Sequence, residues 1–165
     1  SANYAIDSSR VYATGYSNGA DFTYTLACYL SDRITGIAPV SGLMTDLTLQ
    51  PCTPSHPTTV MIFNGTGDYV RPYAGYEGYL EPVDNAATFW TGHNNITGSA
   101  EVTDINNSGF NVERYHYTGG DGDTAVSVFK VINGDHIWFD FDIDGVTATR
   151  YIWDFLSQYD QDGLR

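Results

Sequence analysis

Short apolar runs separated by helical segments are the feature that most constrains the fold of this chain. Runs that favour β-strands lie at residues 10–14, 34–40, 58–63, 112–117 and 125–132. Two of them, 34–40 and 58–63, have almost no polar alternation, which is typical of strands buried on both faces of a sheet. We therefore expect a sheet with both faces covered.

Segments with apolar residues at helical spacing alternate with these runs. They lie at residues 20–32, 83–90 and 147–159. Strands that alternate with helices predict an α/β fold, with a mainly parallel sheet and helices on both of its faces. The polar stretch after the second helix, up to about residue 108, is rich in Asn, Gly and Thr and predicts an irregular loop.

Length and charge narrow the possible functions. With 165 residues and 15% aromatics, the chain is expected to fold as one domain over residues 1–165. A net charge of −13 and a single lysine, Lys130, argue against nucleic acid and anionic membranes as partners. No apolar stretch approaches the roughly 20 residues that span a bilayer, and the first residues lack a signal-peptide pattern, so we expect a soluble chain.

A G-x-S-x-G pattern, Gly15-Tyr16-Ser17-Asn18-Gly19, lies between a predicted strand and a predicted helix. In such a turn the serine sits on strained backbone, and side chains at the two glycine positions would collide with neighbouring backbone. The setting makes Ser17 a candidate nucleophile. A serine hydroxyl becomes reactive only when a base takes its proton and an acid orients that base.

Candidates for the base and the acid follow two of the predicted strands. Asp68 lies in the loop after the strand at 58–63, and His136 follows the strand at 125–132. Because functional residues of such sheets cluster beyond the carboxyl ends of the strands, we expect both to lie near Ser17. The chain order Ser, Asp, His is that of the α/β-hydrolases.

Other residues compete for these roles. Asp68 has the alternative role of capping its own Asn- and Gly-rich turn. The conceivable substitutes for the acid are Asp46, Asp84 and Asp135. The remaining histidines, which we expect to be structural or solvated, are His56, His93 and His116.

The acidic segment Asp140-Phe141-Asp142-Ile143-Asp144-Gly145 matches the opening of a calcium-binding loop. The match then fails, because the twelfth position, where a bidentate Glu is expected, is Tyr151. We expect a solvated acidic loop and no metal site. Two cysteines, Cys28 and Cys52, fit neither a redox pair nor a four-ligand zinc site, which leaves a disulfide or two buried thiols.

Three segments resemble the polyhydroxybutyrate depolymerase, feruloyl esterase and acetylxylan esterase group of α/β-hydrolases. They are residues 6–44 around the serine, 63–73 around Asp68, and 132–138 with the helix that follows. The resemblance implies a secreted serine esterase that needs no cofactor, with Ser17 as nucleophile, His136 as general base and Asp68 as orienting acid. It also places Cys28 and Cys52 where such proteins can carry a disulfide.

The chain also departs from this group. The acid loop reads Asn64-Gly65-Thr66-Gly67-Asp68 where the group usually has His-Gly-Thr-x-Asp, and His136 is followed by Ile-Trp-Phe rather than Thr-Trp-Pro. A second cysteine pair found in many members is missing. The resemblance covers only the C-terminal portion of the usual fold, without the earlier strands and the His-Gly segment that supplies one oxyanion donor.

Two expectations follow from this truncated α/β-hydrolase fold. The backbone N–H of Asn18 is the identifiable oxyanion donor, so the oxyanion hole is half built unless Tyr16, another amide or a partner chain completes it. The strand at 10–14 has an unpaired edge, which we expect a second copy of the chain or a partner segment to cover.

For the substrate we expect short hydroxy-acid, acetyl or hydroxycinnamoyl esters, contacted by Tyr16, Tyr73 and Trp138. Arg71 is expected to form a surface ion pair rather than to meet a substrate carboxylate. An alternative is an impaired hydrolase fragment that binds polymer or carbohydrate through aromatic rings. The rings available for such binding are Tyr69, Tyr73, Tyr76, Tyr79 and Trp138. A β-sandwich carbohydrate-binding domain fits the composition but conflicts with the helical segments.

Overall fold

A six-stranded mixed sheet organises the chain in the computed structural model, which describes residues 4–49, 51–107 and 109–165. Its strands are β1 (Tyr12–Tyr16), β2 (Gly36–Val40), β3 (Thr59–Gly65), β4 (Glu101–Asn107), β5 (Phe110–Tyr117) and β6 (Val126–Val131). Their spatial order is β1-β2-β3-β6-β5-β4. The first four in this order run parallel, whereas β5 and β4 add to β6 as an antiparallel hairpin.

Four α-helices, one 3-10 turn (Asp121–Asp123) and two short hairpins complete the described elements. The helices are α1 (Asn18–Tyr29), α2 (Asp46–Leu49), α3 (Val83–His93) and α4 (Ala148–Leu156). The hairpin strands are β7 (Asp142–Ile143), β8 (Val146–Thr147), β9 (Tyr159–Asp160) and β10 (Gly163–Leu164). Within the described ranges, no helix is both long enough and apolar enough to cross a membrane.

The buried apolar residues form two clusters, and successive residues of a strand enter different clusters. In β3, Val60 and Ile62 belong to the first cluster, whereas Met61 and Phe63 belong to the second. Helices α1 and α3 contribute to the first cluster, and α4 contributes to the second. This division explains why the strand at 58–63 shows no polar alternation, since both of its faces meet apolar side chains.

The α/β class expected from the sequence is confirmed, but the sheet is mixed. The prediction of an irregular loop up to residue 108 was wrong, because β4 occupies residues 101–107. This strand lies at the sheet edge, where Glu101 and Asp104 are exposed and Val102 keeps 55% of its surface accessible. Polar residues on edge strands limit edge-to-edge aggregation. The polar residues of β4 therefore reflect its place at the edge of the sheet, and they do not indicate a loop.

A disulfide joins Cys28 of α1 to Cys52, which follows α2. The bond settles the choice between a disulfide and two buried thiols. Both cysteines lie in the first cluster, at 6% exposure each. Closing a loop of this size stabilises a fold by about 3 kcal/mol in the chain-entropy account.

Candidate active site

The turn from β1 into α1 holds Ser17 in an unusual backbone conformation. Its φ is 56° and its ψ is −123°, a region that costs a non-glycine residue energy and is concentrated at functional sites. The Ser17 N–H donates to the carbonyl of Val40 at 3.0 Å, and the Ser17 carbonyl accepts from the N–H groups of Ala20 and Asp21. The strained residue is therefore held by β2 and by the first turn of α1.

The two glycines of the motif differ in their need for space. A Cβ atom added at Gly15 would lie 2.3 Å from the carbonyl oxygen of Gly19, so a side chain there is excluded. A Cβ atom at Gly19 meets no atom of the described residues within 4 Å. The expectation that both glycines are required for steric reasons was therefore wrong for Gly19, because its Cα faces open space at the start of the helix.

Three side chains from three strand ends meet in one chain of hydrogen bonds. His136 Nε2 lies 2.8 Å from Ser17 Oγ, and His136 Nδ1 lies 2.7 Å from Asp68 Oδ2. With a neutral ring, Nδ1–H donates to the carboxylate and Nε2 accepts from the hydroxyl. Ser17 follows β1, Asp68 follows β3 and His136 follows β6, so all three lie at the carboxyl edge of the parallel strands.

Asp68 is buried, with 3% of its surface exposed, and both of its oxygens have partners. Oδ1 accepts the backbone N–H groups of Val70 and Arg71 at 2.8 and 2.7 Å, while Oδ2 faces the imidazole. The carboxylate thus caps its own turn and also contacts His136. The geometry is compatible with both roles expected for Asp68, because each oxygen makes one of the two kinds of contact.

The loop that carries His136 is fixed by two hydroxyl groups. Tyr16 Oη–H donates to the carbonyl of His136 at 2.8 Å, and the Tyr16 ring lies 5.1 Å from the imidazole, centroid to centroid. Ser41 Oγ–H donates to the carbonyl of Ile137 at 2.7 Å. Ser41 is fully buried directly after β2, and its position at a strand end is the signal that would have identified it.

Arg71 forms an ion pair with Asp21 in the first turn of α1. The guanidinium Nε and Nη2 lie 3.0 and 2.8 Å from Asp21 Oδ2, and Nη2 also donates to the side-chain oxygen of Asn18. The hydrogen bond with Asp21 raises the pKa of Arg71 above its usual value. The pair expected at the surface is mostly buried, with side-chain exposures of 13% for Arg71 and 15% for Asp21.

Two other residues predicted to contact substrate have partners elsewhere. The Tyr73 hydroxyl donates to Asp84 at 3.4 Å, and the Lys130 ammonium lies 5.9 Å from its ring centroid. The Trp138 indole N–H donates to Thr149 Oγ1 at 3.2 Å. A substrate-binding role for these two residues stays a prediction.

The competing histidines make structural contacts. The His56 ring lies within hydrogen-bond distance of the carbonyls of Pro57 and Ser31, and the His93 ring of the carbonyl of His56. His116 Nδ1 lies 2.6 Å from Ser127 Oγ, on neighbouring strands. Each of these contacts agrees with the structural role expected from the sequence.

The acidic segment at 140–145 contains β7 and the turn that leads into β8. Asp144 and Gly145 have positive φ values of 53° and 88°, and the Gly145 N–H donates to Asp142 Oδ1 at 2.9 Å. Asp-Gly is typical of a two-residue hairpin turn with positive φ at both positions. In the part of the chain that the structure describes, no three His, Cys, Asp or Glu side chains are grouped to hold a metal ion.

Comparisons with known proteins agree with the resemblance. The chain is 27% identical over 160 residues to the bifunctional acetylxylan esterase/xylanase XynS20E of Neocallimastix patriciarum, covering 97% of this chain and 22% of that protein. It is 28% identical over 163 residues to feruloyl esterase B of Piromyces equi, covering 93% and 28%. It is 35% identical over 100 residues to poly(3-hydroxyalkanoate) depolymerase C of Paucimonas lemoignei, covering 58% and 23%.

These three names are those of the group that the sequence resembles. The chain spans less than a third of the length of each of these relatives. The sequence matches no protein-family profile. The similarity supports a carboxylic ester hydrolase at the level of the group, at a distance that leaves the substrate open.

Proposed function

We propose that this chain is a serine carboxylic ester hydrolase that uses Ser17, His136 and Asp68. The observation that carries the proposal is the unbroken hydrogen-bond chain from Ser17 Oγ through His136 to Asp68. The strained backbone of Ser17 at the start of a helix supports the same role, since nucleophilic serines of α/β-hydrolases occupy such a turn.

The chemistry takes two steps. His136 Nε2 takes the hydroxyl proton as Ser17 Oγ attacks the ester carbonyl, and the imidazolium then gives that proton to the departing alcohol, which leaves an acyl-serine. His136 next takes a proton from water, whose oxygen attacks the acyl carbon, and returns it to Ser17 Oγ as the carboxylic acid departs. Asp68 stabilises the imidazolium and holds the ring in the required tautomer.

The backbone N–H of Asn18 is the proposed oxyanion donor. Asn18 is the first residue of α1, where N–H groups have no partner within the helix and the helix dipole favours negative charge. One donor stabilises the tetrahedral intermediate less than two, and a missing donor costs about 2.7–4 kcal/mol.

Substrate class and compartment follow from the relatives and from the disulfide. The names of the relatives point to acetyl, feruloyl or hydroxyalkanoate esters, and we propose these three classes for this chain. An extracellular location fits the Cys28–Cys52 bond, because disulfides persist in oxidising surroundings.

A binding role without catalysis is the second candidate. Tyr69, Tyr76 and Tyr79 expose 75%, 52% and 59% of their surfaces in the segment that follows Asp68. Exposed rings of this kind stack on sugar faces and on apolar polymers. Sedimentation with insoluble xylan or polyhydroxybutyrate would detect such binding, and its persistence in Ser17→Ala would separate it from turnover.

Hydrolysis of a small ester panel tests the enzymatic proposal. We expect wild type to release product from at least one of 4-nitrophenyl acetate, methyl ferulate and a 3-hydroxybutyrate oligomer, and Ser17→Ala to release none above background. Ser99→Ala, at an exposed position far along the chain, is the matched control and should keep full activity. Equal activity of wild type and Ser17→Ala would remove the basis of the proposal.

A further inference from the structure

We infer that Arg71 is a positioning residue that locks the loop carrying Asp68 onto the helix that begins beside Ser17. The inference rests on the proposed function, because it assigns Arg71 a role in the same reaction. We call its contacts with Asp21 and Asn18, together with its backbone bond to Asp68, the Arg71 clamp. The Arg71 donors in the clamp bond oxygens of Asp21, Asn18 and Asp68, so we infer that Arg71 acts through these residues.

The clamp joins loops that the sheet alone does not place side by side. Ser17 follows β1 and Asp68 follows β3, and β2 lies between these two strands. The Arg71 guanidinium spans this gap by bonding Asp21 and Asn18 of α1, while its own N–H bonds Asp68. One residue therefore contacts both the acid of the site and the helix that carries the proposed oxyanion donor.

Asp21 extends the clamp to the strand in between. Its Oδ1 accepts the N–H of Leu43, which lies shortly after β2, at 2.8 Å. The space there is closed, because a Cβ atom on Gly42 would lie 2.3 Å from Ala20 Cβ and 2.8 Å from Asp21 Oδ1. Helix α1 and the loops after β2 and β3 are thus tied together through one largely buried carboxylate.

The geometry of the clamp requires an arginine. A guanidinium presents several N–H donors in a fixed plane, so it can bond both oxygens of Asp21 and the Asn18 oxygen together, which an ammonium on a flexible stem cannot do. With both side chains more than four-fifths buried, the pair is less screened by solvent than a surface ion pair. Loss of the Arg71 guanidinium would leave the largely buried Asp21 carboxylate without its cationic partner.

Catalysis depends on the separation that the clamp fixes. His136 bonds Ser17 at 2.8 Å and Asp68 at 2.7 Å, so a small shift of the Asp68 loop relative to α1 stretches one of the two bonds. Misplacement of reacting groups by about 1 Å costs up to a hundredfold in rate. Because the clamp acts on the alignment of these three side chains, its removal should lower kcat and leave KM nearly unchanged.

The test compares two identical substitutions at different arginines. Arg71→Met removes the clamp, and Arg150→Met removes the exposed pair between Arg150 and Asp154 on α4 as the matched control. Rates are divided by the concentration of reactive sites, titrated with a fluorophosphonate, so that unfolded protein is not counted. We expect Arg71→Met to lower kcat about tenfold to a hundredfold with KM within about twofold, and Arg150→Met to change neither.

Three further variants extend the test, and Arg71→Lys keeps the inference testable if Arg71→Met folds poorly. Arg71→Lys keeps the charge without the planar fork and should lower kcat less than Arg71→Met, again without a change in KM. Asp21→Asn keeps the shape of Asp21 but removes its charge. The double variant Asp21→Asn with Arg71→Met should be no slower than Arg71→Met alone, because both substitutions break the same contact.

The outcomes separate the inference from the function on which it rests. If wild type hydrolyses esters and both Arg71→Met and Arg71→Lys keep wild-type kcat per titrated site, the clamp has no positioning role and only the inference fails. A rise in KM at constant kcat would overturn it as well, because that result assigns Arg71 to substrate binding. If folded wild type hydrolyses no ester and does not react with the fluorophosphonate, both the inference and the proposed function fail.

Discussion

The residues of the turn before α1 differ in steric room and in backbone strain, although the sequence pattern does not distinguish them. Gly15 has no room for a side chain, Ser17 holds a strained φ of 56°, and Gly19 faces open space. Strain at Ser17 persists because its N–H and carbonyl are both bonded to neighbouring elements. The local pattern identifies the turn, but only the three-dimensional surroundings show which glycine the turn needs.

A matched pair of alanine substitutions tests this difference. Gly15→Ala should destabilise the fold strongly, because its Cβ would meet the Gly19 carbonyl at 2.3 Å. Gly19→Ala should be neutral or stabilising by up to about 1 kcal/mol, because alanine is the better helix former and nothing obstructs it. Urea unfolding of both variants gives the comparison, and equal losses of stability would contradict the account of the turn.

At the level of elements, the hairpin of β4 and β5 forms a row of polar cross-strand neighbours with the parallel strand β6. Glu101, His116 and Ser127 are cross-strand neighbours on β4, β5 and β6. Burial, with a smaller contribution from Arg114, lowers the pKa of His116, while Glu101 acts in the opposite direction. The folded state therefore favours the neutral ring of His116.

This row predicts a pH dependence of stability. Well above the ordinary histidine pKa of 6.5, His116 is neutral in both states and contributes no pH dependence. Below that value the unfolded chain binds a proton that the folded protein binds less tightly, so the free energy of unfolding falls as the pH drops. Urea unfolding from pH 7.5 to 5 should show a shallower fall in His116→Gln than in wild type.

Identical pH profiles of wild type and His116→Gln would contradict this assignment. The substitution replaces the ring by an amide that does not titrate and keeps a group able to bond Ser127 Oγ. A comparison of slopes is used because several carboxylates titrate at lower pH in both proteins and contribute equally to each profile.

Some elements of the fold could be predicted from the sequence, and others could not. The strands β2, β3 and β6 were predictable because their residues are almost all apolar, which follows from burial on two faces. Strand β4 was missed because its exposed positions at the sheet edge are filled by polar residues. The β7–β8 hairpin was missed because its Asp144-Gly145 turn also matches the start of a calcium loop.

Some residues of the candidate site could likewise be singled out from the sequence, and others could not. The structure brings Ser17, Asp68 and His136 together, and the sequence could single them out because each follows a strand whose end was predictable. Ser41 and Asp21 were missed, although their bonds to Ile137 and to Arg71 hold the neighbouring loops. These partners lie 96 and 50 positions apart in the chain, and no local pattern records which distant loops a fold brings together.

At the scale of the whole molecule, the sheet edge at β1, the strand that leads into Ser17, is open. Among the described strands, β1 pairs with β2 alone, and an apolar groove of about 500 Å³ runs along it. Ile6, Tyr12, Trp138 and Trp153 are among its lining residues, and Ile6 and Trp153 expose 62% and 55% of their surfaces. Unpaired edges with apolar neighbours favour pairing with another chain.

We therefore predict that a second copy or a partner segment covers β1. Light scattering on a sizing column should give a mass above the 18.2 kDa of one chain, and Trp153→Glu should restore the single-chain mass. Tyr29→Glu, which also places a charge at an exposed ring but on α1, should leave the association intact. A clean 18.2 kDa species whose β1 amides exchange freely with solvent would contradict the prediction.

Covalent labelling tests whether Ser17 is the nucleophile. Folded wild type is incubated with a fluorophosphonate, and intact mass followed by peptide mapping locates the adduct. We predict one adduct per chain on Ser17, none in Ser17→Ala, and much slower labelling in His136→Ala because the proton acceptor is gone. A folded wild-type protein that stays unmodified, or that is modified elsewhere while Ser17 is intact, would contradict this prediction.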